Sequence, residues 1–409
     1  MVLVDDARAL ADELIELRRS LHREPEVGLR LPRTQAKVFA ALQGLPLKII
    51  EGRSLSSVTA VVEGGRPGPT VLLRADMDAL PVTEETGLPF ASRFEGRMHA
   101  CGHDLHTAML VGAAHLLARR TDQLAGQVVL MFQPGEEGHD GARLMIEEGV
   151  LEAGGSRPVA AYALHVSSRH WPTGRFATRP GPLMAASARL SVTVHGTGGH
   201  GSAPHHARNP IPALCAMVGE LPGYLARTVD PLQPAVVSVG TLNAGTAATV
   251  IPQTASFEAT VRSFDPEVDR HLAHGLARLC EDLAAAYGVR ADARYTVEYP
   301  ATVAEPAESQ FAAGIAQALF GQQRYQKMAQ PLTASEDFSR VLQQVPGTIV
   351  QLGAAPAGQD HETAPANHSP HAVFDEAVIA DGAALYAGLA IGRLDEETAT
   401  PNPGDRVLR

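Results

Sequence analysis

Five side chains have the types that grip a divalent transition metal. They are Cys101 and His103 in MHACGHDLHT, Glu137 in FQPGEEG, His165 in YALHV and His368 in NHSPH. Thiolate, imidazole and carboxylate are the ordinary donors for such ions. Each residue sits at or just past the end of a short apolar run that reads as a strand or leads into a helix. Glu136 places a second carboxylate beside the ligand one. This set suits a dinuclear centre doing metal-assisted hydrolysis, in which one carboxylate ligates and its neighbour moves protons.

Each residue also has a plainer reading. A lone cysteine is commonly a small buried hydrophobe. Here His99, Cys101, His103 and His106 fall within eight positions around a glycine that lets the backbone approach an ion closely. His99 and His106 read equally as groups that orient a ligand or as purely structural ones. Paired glutamates are commonly solvated, but Glu136-Glu137 directly follow an apolar strand and are framed by Pro134, Gly135 and Gly138. His165 also reads as a satisfied strand-end histidine. His368 lies in a Pro/Asn/Ser loop, where His371 competes for the ligand role. Asp76 and Asp78 lie on one side of an extended segment, as acids that orient a ligating histidine or as a strand-end turn. Further on, HGTGGHGSAPHH surrounds His200 with glycines, a demanding turn or a surface loop. Arg262 suits bidentate binding of a substrate carboxylate, or simple solvation on a strand.

The elements that must position these residues alternate. A helical stripe covers 5–22, strands cover 59–63 and 70–75, and a helix follows His103. Strands at 127–132 and 159–166 flank a helix over 141–148, which argues an α/β class with a mixed sheet and sites at strand ends. From residue 183 the texture changes to alternating strands. The order β-α-β-β-α-β, with strands near 190–194, 235–242, 251–263 and 291–297, is a ferredoxin-like α+β sandwich. Residues 183–298 thus read as a domain inserted into a discontinuous catalytic domain, 1–182 plus 299–394, with 395–409 a polar flexible tail.

Bulk properties exclude several classes. The chain has 409 residues, 45% hydrophobic, and a formal charge of −11. Such an acidic balance argues against nucleic acid or an anionic membrane surface as partner. No run of 18 apolar residues exists, so no membrane span is expected. Three widely spaced cysteines make a disulfide framework improbable. The N-terminal segment carries acids where a signal peptide carries bases, and a cytoplasmic protein is the expectation.

The stretches RADMDALPV, MHACGHDLHTAML, FQPGEEG, YALHV, GTGGHGSAPH, TVIP, ATVRSFDPEV, SEDF and NHSP, in that order over about residues 15–390, resemble the aminoacylase/carboxypeptidase family of co-catalytic metallopeptidases. Within it they are most similar to the amidohydrolase branch with hippurate hydrolases and auxin–amino-acid conjugate hydrolases. The resemblance implies a catalytic domain with two divalent ions (zinc, manganese, cobalt or nickel) and an inserted lid that also dimerises, in a homodimer or homotetramer. It implies Cys101 as bridging ligand, with His103, Glu137, His165 and His368 completing the shells. Glu136 is then the general acid/base, Asp78 supports the centre, and His200 stabilises the oxyanion. Arg262 falls near the substrate carboxylate. Thr249 stands where the branch often has a substrate-facing Asn, which bears on substrate recognition. The implied reaction is hydrolysis of N-acyl amino acids. Dipeptidase or carboxypeptidase activity is the alternative, and a non-catalytic metal-binding homologue a further one.

Overall fold

The structure, a computed structural model, describes residues 2–399. The chain divides into two compact units. One holds the chain up to Gly181, Val303–Gln330 and the stretch from Arg340 on; the other holds Pro182–Thr302 and Pro331–Ser339. The first unit contains α1 (Ala11–Arg23), β1 (Leu47–Glu51), β2 (Val58–Glu63), β3 (Arg66–Asp76), α2 (His103–Ala118), β4 (Ala125–Gln133), β5 (Ala160–Ser167) and β6 (Phe176–Thr178). The second contains β7 (Ala186–His195), α3 (Pro210–Thr228), β8 (Ala235–Ala244), β9 (Thr254–Ser263), α4 (Pro266–Ala286) and β10 (Arg290–Tyr299). The first resumes with α5 (Pro306–Phe320), β11 (Tyr325–Lys327), β12 (Gly347–Gly353) and α6 (Val378–Ala399). Other elements, among them helices Val2–Arg8 and Pro32–Leu42, complete the chain.

The first unit is built on one mixed eight-stranded sheet, ordered β1-β2-β4-β3-β5-β12-β6-β11. The β3–β4, β3–β5 and β5–β12 pairs are parallel, while β1–β2 and β2–β4 are antiparallel. β4 and β5 read as unbroken apolar runs because both faces of a central strand are covered. α2 packs against β3 and lies beside α1 and α6. Every residue of α2 except His115 is buried. Leu105, Leu110, Leu116 and Leu117 are all fully enclosed there, each worth about 1.5–3 kcal/mol of transfer free energy. The helix that carries His103 is therefore anchored along its whole length.

The second unit is a four-stranded antiparallel sheet, ordered β8-β9-β7-β10. Leu190, Val192, Phe257 and Val261 from its strands meet Leu214, Met217, Leu272 and Leu276 from α3 and α4 in a separate core. This is the ferredoxin-like arrangement that the β-α-β-β-α-β order anticipates.

Three details differ from the sequence reading. The expected strand 251–263 is broken at Pro252, which has no N–H for a ladder; Val250–Ile251 instead pair with Gly199–His200. The stretch Pro331–Ser339, read as part of the resumed α/β region, groups with the second unit. Its backbone explains this: Leu332 and Ala334 carbonyls accept the Ala185 N–H, and the Leu332 N–H donates to Leu183. The last helix, which the apolar pattern places over 375–394, starts at Val378, because the Asp375 N–H is taken by Ala354 and its carboxylate by the Ala377 N–H. That helix continues to Ala399, so 395–399 of the expected tail are helical and the rest of the tail lies outside the described residues. Among the described residues no helix is long and apolar enough to cross a membrane.

Candidate metal centre

The first-unit candidates gather where β3, β4 and β5 end. β4 stops at Gln133, and Pro134-Gly135 turns the chain into Glu136-Glu137, with Gly135 and Gly138 at φ of +73° and +78°. Asp78, just past β3, holds this turn: its two carboxylate oxygens accept the Glu136 and Glu137 N–H groups, each at 3.0 Å. The Asp78 carbonyl lies 2.9 Å from His103 Nδ1. That contact places the ring proton on Nδ1 and leaves Nε2 as the donor atom. His165 is set the same way, with Nδ1 2.8 Å from the Val166 carbonyl and Nε2 turned to Cys101. Cys101 reaches α2 through Gly102, at φ +85°, where a Cβ would come within 2.3 Å of Val166 Cγ2. Only glycine permits so short a path from the thiol to the helix.

The donor atoms fall into two groups that share Cys101. Cys101, His103 and His165 form one, and Cys101, Glu137 and His368 the other, all donor atoms of a group lying within 4.8 Å of one another. Cys101 Sγ is 3.5 Å from His165 Nε2 and 3.3 Å from His368 Nε2. Glu137 Oε1 is 3.2 Å from His368 Nε2 and 4.0 Å from His103 Nε2. Despite this crowding, His103 Nε2 and Glu137 Oε1 are buried with no well-aligned hydrogen-bond partner. Buried polar atoms left so cost about 1–3 kcal/mol each. A soft-to-borderline donor set, converging with two buried donor atoms left unpartnered, fits a pair of divalent ions.

The electrostatics lower the thiol and raise its neighbours. Burial pushes the Cys101 thiol up, but the His165 and His103 rings beside it pull it further down, so it lies well below an ordinary thiol. Burial lowers His103, yet Asp76 and Cys101 more than offset this and raise it well above the usual imidazole range. The Cys101 sulfur and Glu137 carboxylate push His368 up to about 10. Glu137 is raised, first by burial and then by Cys101. His103 and His368, both raised, keep protons that a divalent ion would displace, while the lowered thiol offers its sulfur readily. Glu136 is buried beside them.

The sequence alternatives separate on geometry. His371 turns away to Glu85, with Nε2 3.4 Å from Oε2, while the His368 N–H is pinned to the Ala100 carbonyl at 2.8 Å. His106 has both nitrogens engaged, Nδ1 with Asp76 Oδ1 at 2.6 Å and Nε2 with the Val166 N–H at 2.8 Å. His99 lies against His22, ring centroids 6.2 Å apart. In the second unit, the Gly201 N–H donates to the Thr249 carbonyl at 2.8 Å, bringing Thr249 and His200 into one loop pair. The Ser202 N–H donates to His200 Nδ1 at 3.1 Å, so the neutral ring carries its proton on Nε2. Arg262 stands apart from that pair, on β9, donating to Ser335 Oγ at 2.9 Å.

One residue escaped the sequence reading. Asn367 Nδ2 donates to the Cys101 carbonyl at 3.2 Å and the Val166 carbonyl at 3.0 Å, and its Oδ1 accepts the Ser168 N–H at 3.1 Å. It ties the Cys101 loop, the end of β5 and the His368 loop together. In sequence it looks like any turn asparagine; its only signal is its place beside His368.

The model of Peptidase family M20/M25/M40 matches residues 72–391. The thermostable carboxypeptidase 1 of Saccharolobus solfataricus is 38% identical over 393 residues, 95% of this chain and 97% of that one. The N-acetylcysteine deacetylase of Bacillus subtilis is 34% identical over 94% of this chain and 97% of its own. Among solved structures, a dinuclear metal-binding peptidase of the M20 family from Bacillus subtilis superposes with a TM-score of 0.80 at 32% identity, covering 95% and 99% of the two chains. The chain therefore belongs to peptidase family M20/M25/M40, as a hydrolase of its amidohydrolase branch.

Proposed function

We propose that the chain is a dinuclear metal-dependent amidohydrolase that cleaves N-acyl amino acids, or similar small amides, to a carboxylic acid and a free amino acid. The observation that carries this reading is the pair of donor groups sharing Cys101 beside the buried Glu136. Two divalent ions bound there supply Lewis acidity and a water acidic enough to ionise near neutral pH. The protein does the rest. Glu136 takes a proton from the attacking water and gives it to the departing nitrogen. Asp78 holds the Glu136-Glu137 turn through both backbone N–H groups, so the base stays aimed while its neighbour ligates. His200, with its proton on Nε2, donates to the developing oxyanion. Arg262 binds the substrate carboxylate, and Thr249, which lies apart from it beside His200, bears on substrate recognition. The similarity to an N-acetylcysteine deacetylase supports an N-acyl amino acid as substrate.

A second reading is peptidase activity, favoured by the similarity to a carboxypeptidase. A panel of N-acetyl and N-benzoyl amino acids run beside dipeptides and C-terminally blocked peptides decides between them. Chelation should abolish turnover, and zinc, manganese, cobalt or nickel should restore it. Activity that survives exhaustive chelation would reject both readings.

A further inference from the structure

We propose that His106 and Tyr386 act together as a spacer between β3 and β5, and that this spacer positions His165 for the Cys101–His103–His165 donor group. The proposal rests on the reading that the two donor groups hold metal.

β3 and β5 run as parallel neighbours from Val71 and Ala160 to Arg74 and Ala163, where their pairing ends. Beyond that point β3 stays with β4, as Ala75 faces Phe132 and Asp76 faces Gln133. β5 stays with β12, from Leu164 opposite Val350 to Ser167 opposite Gly353. The sheet thus divides along one line at its carboxyl edge, and the donors sit at that opening.

Two buried side chains bridge the division. The Leu164 N–H donates to Tyr386 Oη at 2.9 Å, and Tyr386 Oη donates to the Arg74 carbonyl at 2.6 Å. Two residues on, the Val166 N–H donates to His106 Nε2 at 2.8 Å, and His106 Nδ1 donates to Asp76 Oδ1 at 2.6 Å. A phenol and a neutral imidazole each accept on one side and donate on the other. Each therefore replaces a rung of the parallel ladder while holding the strands wider than a direct hydrogen bond would. They come from different helices, His106 from α2 and Tyr386 from α6, and both are fully buried.

His165 lies between the two residues whose N–H groups the spacer holds. The ring of His106 is 4.8 Å from that of His165, centroid to centroid. The other donor group draws Glu137 from the end of β4 and His368 from a loop after β12. The spacer grips neither, so its loss should weaken one donor group and spare the other.

Zinc titration of the chelator-stripped full chain, by calorimetry with elemental analysis, tests this. The native chain should bind two zinc ions. Tyr386→Phe removes the bridging oxygen and keeps the ring; it should retain one zinc at near-native affinity and bind the other at least about tenfold more weakly. His106→Ala should do the same. His106→Gln, whose amide both accepts and donates, should recover part of the loss. Tyr162→Phe is the control, since it removes another buried hydroxyl of the same sheet, one bonded to Glu308; both zinc sites should survive it. A native chain that binds fewer than two zinc ions overturns the dinuclear reading itself. Two intact zinc sites in Tyr386→Phe overturn the spacer. So does an equal weakening of both sites accompanied by a lowered melting temperature, which would make Tyr386 a general stabiliser.

Discussion

At the scale of single residues, the division of labour between Glu136 and Glu137 is the sharpest expectation. Glu136→Gln should leave metal content unchanged and cut kcat by about 10²–10⁴-fold, as loss of a general acid/base does. Steady-state rates beside elemental analysis check this, and lost metal would place Glu136 among the ligands instead. His99 gives a pH prediction. Burial pushes it from its ordinary 6.5 down to about 4. Above pH 6.5 the folded and unfolded chains both keep the ring neutral; between about 6.5 and 4 the unfolded chain takes up a proton that the folded chain refuses. Stability should therefore be full above that window and fall as pH drops through it. Urea midpoints at pH 7 and 5, measured in chelator, should converge in His99→Gln relative to the native chain. The candidate ligands stand out in sequence because Cys101, His103 and Glu137 sit in dense motifs next to apolar runs. The preference for His368 over His371 came from the family resemblance alone, because locally it depends on a loop in which His368 adopts a φ of +71° and its N–H is fixed on Ala100. Asn367 was missed for the same reason, since its partners come from segments some 200 and 270 positions away.

At the scale of elements, the entry to α2 is the point of least tolerance. Gly102→Ala would force a Cβ against Val166 Cγ2 and a side chain into φ +85°. A loss of about 1–3 kcal/mol is expected, with weaker metal binding, because Cys101 and His103 flank the glycine. Chemical denaturation and a zinc titration read the two effects separately, and a neutral outcome in both would show that the approach to Val166 is not needed. Most strands and helices could be read from their periodicity. Failures came where tertiary pairing outweighed local pattern. Pro331–Ser339 joins the second unit through hydrogen bonds to Leu183–Ala185 that no periodicity announces. Tyr386 reads from sequence as one more core position of an apolar helix, because nothing local reveals what its hydroxyl meets.

At the scale of the whole molecule, two units with separate cores should not unfold as one. The first is packed around α2 and the eight-stranded sheet, the second around β7, β9, α3 and α4. All five proposed ligands belong to the first unit. Bound metal stabilises only what holds it, by mass action on the folded form. Calorimetry should show two transitions, of which added zinc raises one; a single transition that shifts as a whole would mean the units are energetically fused. In sequence, the change from buried runs to alternating strands after residue 183 is what suggests an insertion; the contacts divide the chain after Gly181 and after Thr302. The choice of a sulfur atom as the member common to both donor groups reaches further than metal affinity. Sulfur alone among these donors can be oxidised by peroxide, and one modified atom would disable both groups together. An ion seated on Cys101 should shield it, so the empty protein ought to perish in dilute peroxide far faster than the loaded one.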